Sequence, residues 1–141
     1  MSLNNIVRLA VITAIGVSFA FAQTLEKSEK TVKRTIRFKK DNVVTALKSA
    51  MESEGCEVMK DFLGKYNIEQ IECKRTGAGD ENVTAQVVAR HVIWSGRYPS
   101  EYDETDVWIQ TKTGHGGQYW STPIFNGMME RLINGYPMTH H

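Results

Sequence analysis

Residues 31–38 (TVKRTIRF) alternate between apolar and polar positions: Val32, Ile36 and Phe38 fall on one side, Lys33, Thr35 and Arg37 on the other. A period of two predicts a half-buried strand, with Arg34 a misfit on its inner side. The spacing then changes. Val43, Val44, Leu47, Ala50 and Met51 make a single helical stripe, with Asp41 placed to cap its start and Gly55 to stop it. Residues 56–62 and 68–75 are predicted to be two strands of a hairpin turning at Gly64-Lys65. Val58, Met59, Phe62, Leu63 and Tyr66 also fit helical spacing, but Gly64 lies inside that alternative and weakens it.

After a turn at Gly77–Asp80, residues 82–94 carry the longest strand signal. Val83, Ala85, Val87, Ala89 and Ile93 share one face; Val88, Val92 and Trp94 thicken the other. Residues 95–105, rich in Tyr and acid, read as a loop. Residues 106–113 read as a strand with Val107 and Ile109 inward and Trp108, Gln110 and Lys112 outward, ended by Gly114, Gly116 and Gly117. The last element is a helix with Thr122 as N-cap, Pro123 in its first turn and a stripe of Ile124, Phe125, Met128, Met129, Leu132 and Ile133. Gly135 and Pro137 end it. The predicted order is β-α-β-β-β-β-α. Helices with one apolar stripe each must share one face of a sheet, so the predicted class is α+β: a two-layer sandwich with a mostly antiparallel sheet of about 4–5 strands. The other face is left open to solvent or a partner. Residues 23–30 form a loose leader, 31–136 one domain and 137–141 a tail.

The start of the chain has a separate logic. Arg8 precedes an uncharged run from Leu9 to Phe21, closed by Ala20-Phe-Ala22. A cationic start, apolar centre and A-x-A exit predict a signal peptide over residues 1–22, and the run is shorter than the ~20 residues that span a bilayer. A lipoprotein needs a cysteine at the cleavage point, and the first here is Cys56. The expected location is periplasmic or secreted. Removal of the leader takes Arg8 alone among charged side chains, so the 17 basic residues fall to 16, equal to the 16 acidic ones. A neutral chain is poorly suited to neutralising many phosphates, which argues against nucleic acid as a partner.

An exported chain matures where thiols oxidise, so Cys56 and Cys73, its two cysteines, are expected to pair. In a hairpin with a two-residue turn at Gly64-Lys65 they face each other directly, within disulfide reach. No C-x-x-C accompanies them.

Searches for catalytic chemistry return little. The histidines are His91, His115, His140 and His141, without metal-ligand spacing, so no metal or cofactor is expected. His91 reads as a strand histidine satisfied by hydrogen bonds. Glu101, Asp103, Glu104 and Asp106 read as a solvated loop before a strand. Two features point to binding. Residues 27–40 hold seven basic side chains (Lys27, Lys30, Lys33, Arg34, Arg37, Lys39, Lys40), with Glu29 among them and Glu26 just before. These either attract an anionic envelope component or balance the acids at 101–106 within the fold. The second feature is aromatic: Trp94, Tyr98, Tyr102, Trp108, His115, Tyr119 and Trp120 fall in one strand pair and its loops. Trp94, Tyr98, Trp108, His115, Tyr119 and Trp120 are the candidate binding residues, on an aromatic sheet face or in a second hydrophobic cluster under the loops.

A strand, a helix ending in Glu54-Gly55-Cys56, a hairpin, two longer strands and a closing helix introduced by Ser121-Thr-Pro-Ile-Phe125 resembles small bacterial envelope domains, the helix-grip domain of the outer-membrane assembly lipoprotein BamC among them. The resemblance is one of element order over residues 31–136. It implies a non-enzymatic accessory module, and it carries over no functional residues. The expectation is therefore an exported, non-catalytic module that binds an envelope protein or cell-wall component through aromatic residues. The alternatives are a secreted inhibitor or effector acting on a host or competitor, and a small hydrolase using His91 or His115 with an acid from 101–106.

Overall fold

A computed structural model describes residues 29–75, 81–113 and 119–139. The elements are β1 (Thr31–Ile36), α1 (Lys40–Ser53), β2 (Cys56–Leu63), a 3-10 turn (Lys65–Asn67), β3 (Glu69–Arg75), β4 (Glu81–Trp94), β5 (Ser100–Thr113) and α2 (Ser121–Gly135). The five strands form one antiparallel sheet in the order β1-β5-β4-β3-β2. This is the α+β sandwich that the hydrophobic pattern predicts.

The core follows the strand period. Val83, Ala85 and Val87 of β4, Val107 and Ile109 of β5, Ile71 and Cys73 of β3, and Val32 and Ile36 of β1 are buried on one face. Val43, Leu47, Ala50 and Met51 of α1 and Ile124, Met128 and Leu132 of α2 are buried against them. Both helices lie on that face, and side chains of the opposite parity stand on a sheet face that no described element covers.

Several local expectations are corrected. Helix α1 starts at Lys40 with Lys39 at its N-cap, and no side chain, Asp41 included, makes a cap bond. Helix α2 starts at Ser121, not after Thr122, and its cap comes from another element. The buried Thr111 hydroxyl on β5 accepts from the backbone N–H groups of Trp120 (3.0 Å) and Ser121 (3.2 Å). That satisfies orphan donors which a local cap would otherwise serve. Ile133, placed in the apolar stripe by spacing, is exposed. The loop predicted over 95–105 is only five residues long, 95–99, because β5 begins at Ser100 and pairs with β4 up to Trp94.

The β2–β3 pair is a hairpin, but its turn is longer than two residues. It spans 64–68, with Tyr66 and Asn67 at positive φ (61° and 58°). A bulge between Val58 and Lys60 shifts the register, so Cys56 stands opposite Arg75 and Val58 opposite Cys73. The disulfide forms along this diagonal, with the two Cα atoms 5.3 Å apart and both cysteines buried. Gly55, at φ 75°, ends α1 and turns the chain into β2, a conformation that a β-carbon would strain.

Closing a loop of this length restricts the unfolded chain by about 3 kcal/mol in the chain-entropy account. Reduction with dithiothreitol is therefore expected to lower unfolding free energy in urea by about that amount. An unchanged midpoint would show that the bond adds nothing to stability.

Candidate functional site

The outer face of the sheet is built from alternate residues of all five strands. Register places Lys33 (β1), Trp108 (β5), Gln86 (β4), Gln70 (β3) and Phe62 (β2) in one row. At the usual strand spacing that row is about 19 Å long. The next row holds Thr31, Gln110, Thr84, Glu72 and Lys60. Gln110 Nε2 reaches Thr31 Oγ1 at 3.4 Å, and Gln70 Nε2 donates to Glu72 Oε2 at 2.7 Å. The face is thus amide- and hydroxyl-rich around a half-buried indole.

Beyond the helices, β4 and β5 continue as a two-stranded arm over residues 89–94 and 100–104. On its outer side Val92 faces Tyr102 and Trp94 faces Ser100. At its tip Ile93, Trp94 and Tyr98 are exposed at 67%, 58% and 76%. The Trp94 indole lies over Gly96, where an added β-carbon would sit 2.7 Å from the ring, so a side chain there would displace the indole. The Arg97 guanidinium stands 5.7 Å from the centre of the Tyr98 ring.

On the other side of the arm, His91 faces Asp103 and Ile93 faces Glu101. His91 Nδ1 lies 2.9 Å from Asp103 Oδ1 and Nε2 lies 3.2 Å from Glu101 Oε2. A neutral imidazole donates from one nitrogen only, so both contacts are satisfied together by the imidazolium. The hydrogen bond to Asp103, then that to Glu101, raises the His91 pKa above its ordinary value, against a smaller loss from desolvation. His91 has the inward parity of Val87, as its spacing predicts, but it is exposed because the helices stop short of it. This dyad of His91 and an acid has the elements of acid–base chemistry, but both ring nitrogens are already engaged and the side chains stand open to solvent.

The aromatic candidates do not form one surface. Trp94, Tyr98 and Trp108 belong to the arm and the outer face. Trp120 lies on the helix side, packed against the core. Its Nε1 donates to Glu81 Oε2 at 3.2 Å, and the Arg75 guanidinium stacks on its ring at 3.4 Å. Arg75 Nη1 donates to Glu81 Oε1 at 2.9 Å, and Arg75 Nε donates to the Glu54 carbonyl at the end of α1. Trp120 thus satisfies a carboxylate that is only 2% exposed. Tyr119 is half-buried beside it in sequence, and His115 lies outside the described residues.

Sequence reasoning missed two features. Phe62 joins the outer face only because the bulge at Met59 reverses the parity of β2; with Met59, Leu63 and Tyr66 it leaves the β2–β3 hairpin with exposed apolar side chains. The other feature is a carboxyl pair, Asp61 and Glu69, on neighbouring strands. Burial opposes ionisation of Asp61, but its hydrogen bond with Glu69 and the Lys48 and Lys40 charges outweigh that and hold its pKa below the usual value. The bond to Asp61, and then burial, hold the pKa of Glu69 above the usual value. Lys48 Nζ donates to Asp61 Oδ2 at 2.7 Å, and Lys40 Nζ lies 3.4 Å from Glu69 Oε1, so the network fastens α1 to the hairpin. Among the described residues, no group of three His, Cys, Asp or Glu side chains is arranged to hold a metal ion.

No family model matches the chain, and no curated protein or solved structure matches it.

Two outcomes follow from these contacts. Arg75→Met leaves the Glu81 carboxylate buried without its counter-charge and is expected to cost about 3 kcal/mol in urea unfolding, with part recovered in Arg75→Met/Glu81→Leu. Equal stability of the single variant and the wild type would remove the network from the account. The second concerns pH. Because the folded pKa of His91 is raised, its two ion pairs are complete below the ordinary histidine value of about 6.5 and are lost as pH rises through the folded pKa. Hydrogen exchange of the arm amides is expected to show more protection at acidic than at alkaline pH relative to the core, and His91→Gln to abolish that difference.

Proposed function

We propose that the chain is an exported, non-catalytic interaction module that holds an envelope protein or cell-wall component through the outer sheet face and the β4–β5 arm. The observation that carries this reading is the exposure of Ile93, Trp94 and Tyr98 together at the tip of an arm that neither helix covers. Large apolar side chains grouped in solvent cost solubility and are characteristic of surfaces that are covered in use. Aromatic side chains also supply much contact area at low entropic cost, which makes them frequent binding anchors.

The outer face extends the same surface inward through Tyr102, Val92, Val88 and Trp108. Its glutamines and threonines offer both donors and acceptors without net charge, which suits peptide or sugar hydroxyl and amide groups. Tying the functional surface to a disulfide-clamped sandwich keeps its geometry rigid, which reduces the ordering cost of binding. Export is supported by the apolar leader at 1–22, outside the described residues, and by the Cys56–Cys73 bond, which persists in an oxidising compartment. The order of elements, like that of the helix-grip domains, suits an accessory role.

Trp94→Ser/Tyr98→Ser is expected to abolish crosslinked capture of the partner in intact cells. Because both side chains are exposed, stability should stay within about 0.5 kcal/mol of the wild type. Unchanged capture would remove the arm from the proposed surface.

A further inference from the structure

We infer that the outward edge of β1 is a docking site for an extended acidic peptide segment, taken up as an added strand. The Thr111 N–H donates to the Lys30 carbonyl at 2.9 Å, which sets the ladder between β1 and β5. With antiparallel alternation, residues 30, 32, 34 and 36 turn their backbone groups toward β5, and Thr31, Lys33 and Thr35 turn theirs away from the sheet. The strand is fastened at both ends. Ser121 Oγ donates to the Lys30 carbonyl at one end, and the Thr139 N–H donates to the Arg37 carbonyl at the other. The second contact is itself strand-like: the chain's own tail lays a backbone donor on the outward edge at Arg37, and no other described element pairs with residues 31–35 beside it.

Among the described residues, the charge on this edge has no internal partner. Lys30, Lys33, Arg34, Arg37 and Lys39 are exposed, and none forms an ion pair among the described residues. Of the four acids at 101–106 that might have balanced them, three are engaged elsewhere. Glu101 and Asp103 face His91, and Asp106 lies 3.6 Å from Arg90 while accepting from the Thr35 hydroxyl. Two copies of the chain are kept from pairing through β1, because like charges would meet across the new ladder. The same charge favours a strand of opposite sign.

Peptide fits better than a featureless polyanion because the cations occupy both sides of the edge. Lys33 lies on the outer-face row, and Arg34, next in sequence, has the opposite parity. An added strand sends alternate side chains to both faces, so acids at successive positions meet both cations. Arg34 Nη1 now donates to the Lys33 carbonyl at 2.8 Å. A peptide N–H takes over that carbonyl when a carboxylate draws the guanidinium away. This edge is separate from the arm and can be tested apart from it.

The test is fluorescence anisotropy of a labelled peptide of repeating Asp-Asp-Val-Val, whose acids fall at successive positions and so on both faces of an added strand, titrated with the chain at low and physiological salt. Saturable binding that weakens with salt is expected, reduced about tenfold or more by Lys33→Glu/Arg37→Glu with an unchanged far-UV spectrum. A peptide of the same charge, N-methylated at alternate residues, is expected to lose about tenfold by losing its ladder bonds. Trp94→Ser/Tyr98→Ser is expected to bind the parent peptide normally, so failure here and failure of the arm reading are distinguishable. No binding, no effect of charge reversal, or equal binding by the N-methylated peptide or inorganic polyphosphate would overturn the inference.

Discussion

The carboxylate of Glu81 is buried at the start of β4, and much of the architecture meets around it. One oxygen accepts from Arg75 on β3 and the other from the Trp120 indole at the start of α2, while Arg75 also donates to the last turn of α1. A buried charge is tolerated only when its partners are in place, so this arrangement ties two strands and two helix ends into one geometry. The disulfide sits beside it, since Cys56 stands opposite Arg75 in the hairpin. Non-directional core packing alone would permit small slips of helix on sheet; the charged and aromatic contacts here demand one alignment.

With that end of the fold closed, the free surface is at the other end and on the other face. Neither helix reaches the far half of the β4–β5 hairpin, so Ala89, His91 and Ile93 keep their inward parity but gain no cover. The arm therefore relies on cross-strand pairs, with His91 between two carboxylates as its strongest polar fastening. The proposed partner surface and the basic β1 edge thus both sit where the core leaves backbone or apolar side chains unclaimed.

Periodicity made most of the fold legible. Val83-Ala85-Val87 and Val107-Ile109 announce their strands, and the stripes of α1 and α2 announce their buried faces. The errors fall where tertiary context overrides local pattern. Residues 100–105 combine Tyr with acids and resemble a loop, and they become strand because β4 supplies partners for each position. The cap of α2 is not local, because Thr111, ten residues upstream of Ser121, supplies its acceptor. The bulge at Met59 has no local signature, so neither the diagonal disulfide geometry nor the outward turn of Phe62 follows from counting residues. Trp120 shows the limit most clearly: in sequence it groups with Tyr119 and the aromatics of the arm, and in space it hydrogen-bonds a buried acid.

Position-specific photocrosslinking in living cells tests the central claim most directly. A photoreactive phenylalanine placed singly at Trp94, Tyr98 and Trp108, and for contrast at Glu130 on the exposed side of α2, reports which surface is covered. The account predicts one discrete crosslinked species from the arm and outer-face positions and none from Glu130. A species formed from Glu130 alone, with the arm and outer-face positions silent, would contradict it.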